Sequence, residues 1–190
     1  MALIPFLPVR IVLVAQVNST TKSNVLAKAE AAAYAVKQSL EPDTPLCIYS
    51  SKDERATKTA GFYKNSLSST KEELVHYFQD GPGGIDYLDC DSDIFNRNPH
   101  TLSSKMEGCI EFLHSKAKEC PCIVLISSLH TVMEISKRLA MEFKPQIAFP
   151  SHLEPCQAIS VNVMTGVVQV IKGTPNSVES NANTMPKQTA

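Results

Sequence analysis

The chain has 190 residues, of which 43% are hydrophobic, with 18 basic against 19 acidic side chains and a formal net charge of -1. That is enough apolar material for one domain with a core of its own. The near-balanced charge gives no electrostatic ground for nucleic acid or an anionic membrane surface as partner, and no stretch reaches the length of a membrane span.

The first residues are apolar, but Pro5, Pro8 and Arg10 interrupt them. Neither a basic n-region nor a small-residue cleavage site accompanies them, so no secretory signal is expected. Val9–Val17 is a nearly continuous apolar run, the pattern of a strand covered on both faces. After a polar loop, Leu26, Ala29, Ala33, Val36 and Leu40 recur at helical spacing, and Pro42 ends that helix. Leu46–Ser51 predicts a second strand and Asp53–Ser66 a second helix, with Ala56, Ala60 and Tyr63 turned to the core.

Glu73–Gln79 fits strand and helix equally, and the glycines from Gly81 to Gly84 break it. The stretch Ile85–His100 is rich in Asp and Asn and is expected as a surface insertion, carrying Tyr87, Ile94 and Phe95. A third helix is predicted over Leu102–Lys118, with Ser104 and Glu107 as capping box and Met106, Ile110, Leu113 and Ala117 as its stripe. Cys122–Ser127 is a third buried strand. Thr131 and Glu134 suggest another capping box, opening a helix that turns Val132, Ile135, Leu139 and Phe143 inward.

Gln157–Met164 and Val167–Lys172 then predict two strands joined by a tight turn at Thr165 and Gly166. From Thr174 to Ala190 the chain is polar with almost nothing to bury, a tail expected to be disordered unless something holds it. The alternation of strand and helix argues for an α/β layer fold: one domain over residues 1–173, followed by the tail, with Val9–Val17, Leu46–Ser51 and Cys122–Ser127 as neighbouring parallel strands.

The six cysteines are too few and too scattered for a disulfide framework. Cys47, Cys109 and Cys122 fall on apolar faces, where thiols behave as small hydrophobes, and the expected setting is a reducing, intracellular one, the cytoplasm. Cys120-Pro-Cys122 invites a zinc reading, but a zinc site needs about four nitrogen or sulfur ligands, and the five histidines form no second cluster beside it. Neither a metal nor a cofactor is expected.

Four segments, read in order over about residues 9–173, carry a resemblance. The first strand runs into Ala15, Gln16 and Val17. Next, Ile48-Tyr-Ser-Ser51 is followed by Arg55-Ala56 and, one helical turn on, Thr59-Ala60. The strand Cys122–Ser127 is followed by Ser128 and Leu129, and the chain from Gln157 to Gly173 forms a closing strand, turn and strand. This set resembles the histidine phosphatase superfamily, and the resemblance implies the phosphoglycerate-mutase-like fold: a three-layer αβα architecture with a mainly parallel central sheet. In that family the first strand ends Arg-His-Gly where this chain has Ala15, Gln16 and Val17. Another strand ends Ser-His-Gly where this chain has Ser127, Ser128 and Leu129. The arginine of the second signature is kept, as Arg55.

In the family the first histidine attacks the phosphoryl group, while the second histidine and two arginines offset charge on the transferring oxygens. Gln16 offers an amide, a negligible nucleophile, Ala15 removes a guanidinium, and Ser128 removes the second imidazole. Each lost positioned charge removes about two to four kcal/mol of transition-state stabilisation, and the lost nucleophile removes the covalent route. Val17 and Leu129, in place of glycines, are expected to narrow the cleft.

The resemblance therefore implies an enzyme fold without its catalytic residues. The chain is read as a structural or protein-binding subunit of a larger assembly, contacting other protein subunits through Thr174–Ala190 and Ile85–His100. The alternatives are a phospholigand-binding module using Arg55 and a phosphatase with a non-standard active site. Against the first, one charge makes a weak anion site, and Asp53 or Glu54 can pair with Arg55. Lys52 and Lys58 fit a solvated helix face. His130, two residues past the family position and at a helix start, fits a capping or surface role. No glycine elbow surrounds Ser50, Ser51, Ser127 or Ser128 to make any of them a nucleophile.

Overall fold

The first apolar run forms β1 (Arg10–Ala15), and Ile11 to Ala15 are completely buried in the computed structural model, which describes residues 10–41, 44–68, 86–87, 99–143 and 149–173. The elements that follow are α1 (Ser23–Ser39), β2 (Leu46–Ser50), α2 (Glu54–Ser68), β3 (Asp86–Tyr87), α3 (Pro99–Ala117), β4 (Cys122–Ser127), α4 (Leu129–Phe143), β5 (Ala158–Asn162) and β6 (Val168–Ile171). They build one six-stranded sheet in the order β3-β2-β4-β1-β5-β6. β4 lies between β2 and β1 and is parallel to both, with Leu46 and Arg10 each opposite Cys122. β3 joins β2 in parallel, whereas β5 and β6 close the other side antiparallel. The three strands expected to be parallel neighbours are so.

Because side chains alternate along a strand, a strand buried on both faces divides its residues between two cores. Ile11, Leu13 and Ala15 face one side with Tyr49, Ile123 and Leu125, under Met106, Ile110 and Leu113 of α3 and Val132, Ile135 and Leu139 of α4. Val12 and Val14 face the other with Ile48, Val124 and Ile126, under Ala33 and Val36 of α1 and Ala56, Ala60 and Tyr63 of α2. Helices on both faces of a mainly parallel sheet make the three αβα layers. On the first face Tyr49 meets Phe112 edge-on, ring centres 5.0 Å apart.

Several boundaries differ from those read in the sequence. α4 begins at Leu129, so the capping box expected at Thr131 and Glu134 is displaced by one turn. The cap is Ser128, whose Oγ accepts the Thr131 amide at 3.3 Å, while Glu134 pairs with Arg138 one turn on at 3.0 Å. α3 begins at Pro99 rather than Leu102, which leaves Ser104 inside the helix and not at its cap. Proline suits the first position because its missing N–H would have no helical partner there.

The final turn is longer than the tight one expected at Thr165 and Gly166. Asn162 Oδ1 accepts the amides of Met164 and Thr165, so β5 ends at Asn162 and the loop runs to Val167, with Gly166 at φ 66°. The Ile85–His100 segment is not wholly an insertion, since Asp86 and Tyr87 pair with Tyr49 and Ser50 as an edge strand and Pro99 and His100 open α3. The rest of that segment, Glu73–Gln79, the glycines from Gly81 to Gly84 and the tail from Thr174 to Ala190 lie outside the described residues.

Candidate functional site

In open α/β sheets, ligands gather outside the carboxyl ends of the parallel strands, where helix N-termini also point. Here that edge is formed by the ends of β2, β4 and β1. The ladder extends one step past the strands: the Gln16 amide donates to Ser127 O at 2.9 Å, and the Ser51 amide donates to Ile126 O at 3.0 Å. Ala15, Gln16, Ser50, Ser51, Ser127 and Ser128 therefore share one sheet edge, as the resemblance implies.

The loop after β1 is bound down to α2. The Val17 amide donates to Thr59 Oγ1 at 3.0 Å, and that hydroxyl donates to Arg55 O at 2.6 Å. Lys58 is exposed, as expected for a solvated helix face, and its Nζ donates to Thr20 O at 2.6 Å. Thr59 is a positioning residue that sequence reasoning treated only as part of a motif. Its signal was present, since a hydroxyl one turn after Arg55 can bond back to that carbonyl.

Gln16, where the resemblance implies the attacking histidine, is 7% exposed. Its Oε1 has no hydrogen-bond partner, so a buried amide oxygen remains unsatisfied at the end of β1. Ala15 before it is completely buried and adds no polar group. Val17 turns into a small cluster with Ala29, Ala32 and Cys156, against Val25 and Phe62. Leu129 packs on the opposite side of the sheet, against the core under α3 and α4. The two branched side chains expected to narrow the cleft together thus anchor in separate cores.

Arg55 sits in the first turn of α2. Its backbone amide donates to Asp53 Oδ1 at 2.8 Å, its Nε to the same oxygen at 3.1 Å, and its Nη2 to Oδ2 at 3.2 Å. Asp53 is both the cap of α2 and the counter-ion of the arginine beside it. The Arg55 guanidinium holds the Asp53 carboxyl below its ordinary value of 3.8. Ser128 caps α4, and its Oγ also shares a hydrogen bond of 2.9 Å with Thr131 Oγ1. His130 lies exposed on the first turn of α4.

Across β1 from these groups, the segment Glu154–Gln157 makes a turn in which the Gln157 amide donates to Glu154 O at 3.1 Å. Cys156 occupies its third position at φ 71°, a conformation normally left to glycine, and its amide donates to Ala15 O at 2.9 Å. Burial pushes its thiol up to about 11. Pro155 before it was the one sequence signal of this turn.

Among the described residues no group of three or more His, Cys, Asp or Glu side chains is placed to hold a metal ion. None of the described helices is long and apolar enough to cross a membrane. The edge thus brings together an amide, several hydroxyls and one arginine with an adjacent carboxylate. It can donate and accept hydrogen bonds.

This architecture is that of known proteins. The fold is similar to the protein assigned as phosphohistidine phosphatase SixA of Agrobacterium tumefaciens, at 15% identity and a TM-score of 0.52, over 82% of this chain and 92% of that one. It is similar to phosphoglycerate mutase from Plasmodium falciparum at 12% identity and a TM-score of 0.51, over 86% and 88% of the two chains. A protein assigned as an α-ribazole-5'-P phosphatase of Escherichia coli K-12 matches at 13% identity and a TM-score of 0.51, over 88% and 97%. No protein-family model and no curated protein matches the sequence. The chain has the phosphoglycerate-mutase-like fold, and these structural neighbours are named as phosphatases or mutases.

Proposed function

We propose that this chain is a catalytically inactive histidine-phosphatase-fold protein that serves as a structural or protein-binding subunit of a larger intracellular assembly. The observation that carries the reading is at Gln16. The position that would hold the attacking imidazole holds a buried amide, whose oxygen has no partner and whose nitrogen lone pair is delocalised. Two further features support it. Ser128 is engaged as a helix cap, and Arg55 carries its own counter-charge in Asp53. What such a site lacks is the concentrated positive charge and in-line nucleophile that phosphoryl transfer needs. The polar tail Thr174–Ala190 and the Ile85–His100 segment are the proposed contacts for protein partners.

The test has two arms. Purified protein incubated with phosphoglycerates, phosphohistidine and an aryl phosphate is expected to release phosphate at the rate of buffer alone. Turnover that disappears in Gln16→Ala or Arg55→Ala would refute the inactive reading. Affinity capture with full-length protein and with a chain ending at Gly173 examines the partner reading, which fails if the same partners return at equal yield from both. A phospholigand module would instead show phosphate binding by calorimetry that Arg55→Ala abolishes.

A further inference from the structure

Far from the carboxyl edge, at the amino ends of β2 and β4, two cysteines meet. Cys120 follows α3, where its amide donates to Lys116 O at 2.8 Å, and it is 4% exposed. Its thiol lies over the start of β2, with Sγ 3.6 Å from Pro45 O and 3.1 Å from Cys122 O. Cys47, two residues into β2, is only partly buried and packs on the same core as Cys120. The Cys120 thiol thus lies against the segment that leads into Cys47, and the two thiols are near enough to interact. Cys122, two residues on, belongs to the core on the opposite face of the sheet.

We propose that Cys47 and Cys120 form a reversible disulfide by exchange with a low-molecular-weight disulfide such as oxidised glutathione, with Cys47 as the attacking and Cys120 as the resolving thiol. The accessible member reacts first. The Cys47 thiolate attacks one sulfur of glutathione disulfide, whose S–S bond breaks to leave a mixed disulfide on Cys47 and one glutathione thiolate, which takes up the proton that Cys47 lost. The Cys120 sulfur then attacks the Cys47 sulfur, breaking the mixed disulfide. The second glutathione departs as thiolate and takes the Cys120 proton. Two protein thiols lose two electrons in all, and glutathione disulfide is reduced to two molecules of glutathione.

The order follows from the surroundings. Cys47 is the partly exposed member and Cys120 the buried one, and burial beside Cys47 holds the Cys120 thiol above its ordinary value, so Cys47 meets a soluble disulfide first. The bond would tie the start of β2 to the end of α3 and close a loop that contains α2, β3 and α3.

The experiment treats native, full-length protein with oxidised glutathione, blocks the remaining thiols by alkylation, and maps disulfides by mass spectrometry without reduction. The expected product lacks the mass of two hydrogen atoms and joins the Cys47 and Cys120 peptides, with Cys109, Cys122 and Cys156 alkylated only after unfolding. Cys120→Ala should stop at the mixed disulfide, retaining glutathione on Cys47, and Cys47→Ala should leave Cys120 unmodified. Urea unfolding of the wild-type chain should shift to a higher midpoint after oxidation and return with dithiothreitol, a readout that needs no variant. Unchanged thiols in the native protein, or a cross-link from Cys47 to any other cysteine, would overturn the proposal.

Discussion

Tyr63 gives the sharpest test of how this core is satisfied. Its side chain is completely buried beneath the sheet, and its hydroxyl has no hydrogen-bond partner, with burial pushing its ionisation far above the ordinary range. A buried hydroxyl without a partner costs about 1–3 kcal/mol, because water satisfied it in the unfolded chain. Tyr63→Phe removes the hydroxyl and keeps the ring. The void left is close to one oxygen atom, which at about 24 cal/mol per Å³ returns only a few tenths of a kcal/mol. The expected balance is a gain of about 1–2 kcal/mol. For a chain of this size that is a rise in Tm of about 2–8 °C. Urea unfolding followed by circular dichroism should show a higher midpoint with an unchanged slope. A loss of stability in Tyr63→Phe would refute the reasoning and show that the hydroxyl is bonded, most simply to a buried water.

Other positions make comparable predictions. A Cβ built at Gly173 would lie 2.3 Å from the Ala32 backbone nitrogen. Gly173→Ala should therefore force β6 and α1 apart and lower stability by about 1–3 kcal/mol in the same urea assay. Ser128→Ala removes the cap of α4 and should cost about 0.5–2 kcal/mol, whereas Ser128→Asp should retain most of it. Asp53 is depressed below 3.8, so its contribution is fully present above that pH and lost as the pH falls through its lower folded-state value. Asp53→Asn keeps a good cap and loses the charge. It should flatten the acid limb of a stability-versus-pH curve by less than about 1 kcal/mol, since the pair is partly exposed.

The strands of the central sheet were legible because a strand buried on both faces leaves an unbroken apolar run, and Val9–Val17 and Cys122–Ser127 are such runs. Helix starts were less so. Ser128 and Thr131 are both plausible caps three residues apart, and the apolar stripe beginning at Val132 does not distinguish them. β3 has two residues, too few for any period to show, so Asp86 and Tyr87 looked like part of a polar insertion. Asn162 sits inside an alternating run, and only its side-chain bonds to Met164 and Thr165 reveal that the strand ends there.

At the site, the strand ends bearing Gln16, Ser51 and Ser128 were placed by resemblance. The pairing of Arg55 with Asp53 was one of several partners the sequence allowed, because a guanidinium on the first turn reaches more than one carboxylate. Cys156 gave no sign of itself, since its strain lies in a backbone angle that a side-chain type does not record.

The place of β1 in the sheet bears on how the chain is made. Its residues pair with Cys122–Ser127 on one side and Ala158–Asn162 on the other, both more than a hundred positions downstream. β1 thus leaves a ribosome long before either of its neighbours exists. At translation rates of about 5–20 residues per second, five wholly apolar side chains wait on the order of ten to thirty seconds before β5 exists. Pairing at such separation is also slow for topological reasons, because loop closure precedes any contact that rewards it. A nascent chain halted between Ser127 and Ala158 would hold β1 with one edge bare. That intermediate is where a trigger-type holdase, or a premature strand pairing between two chains, would act.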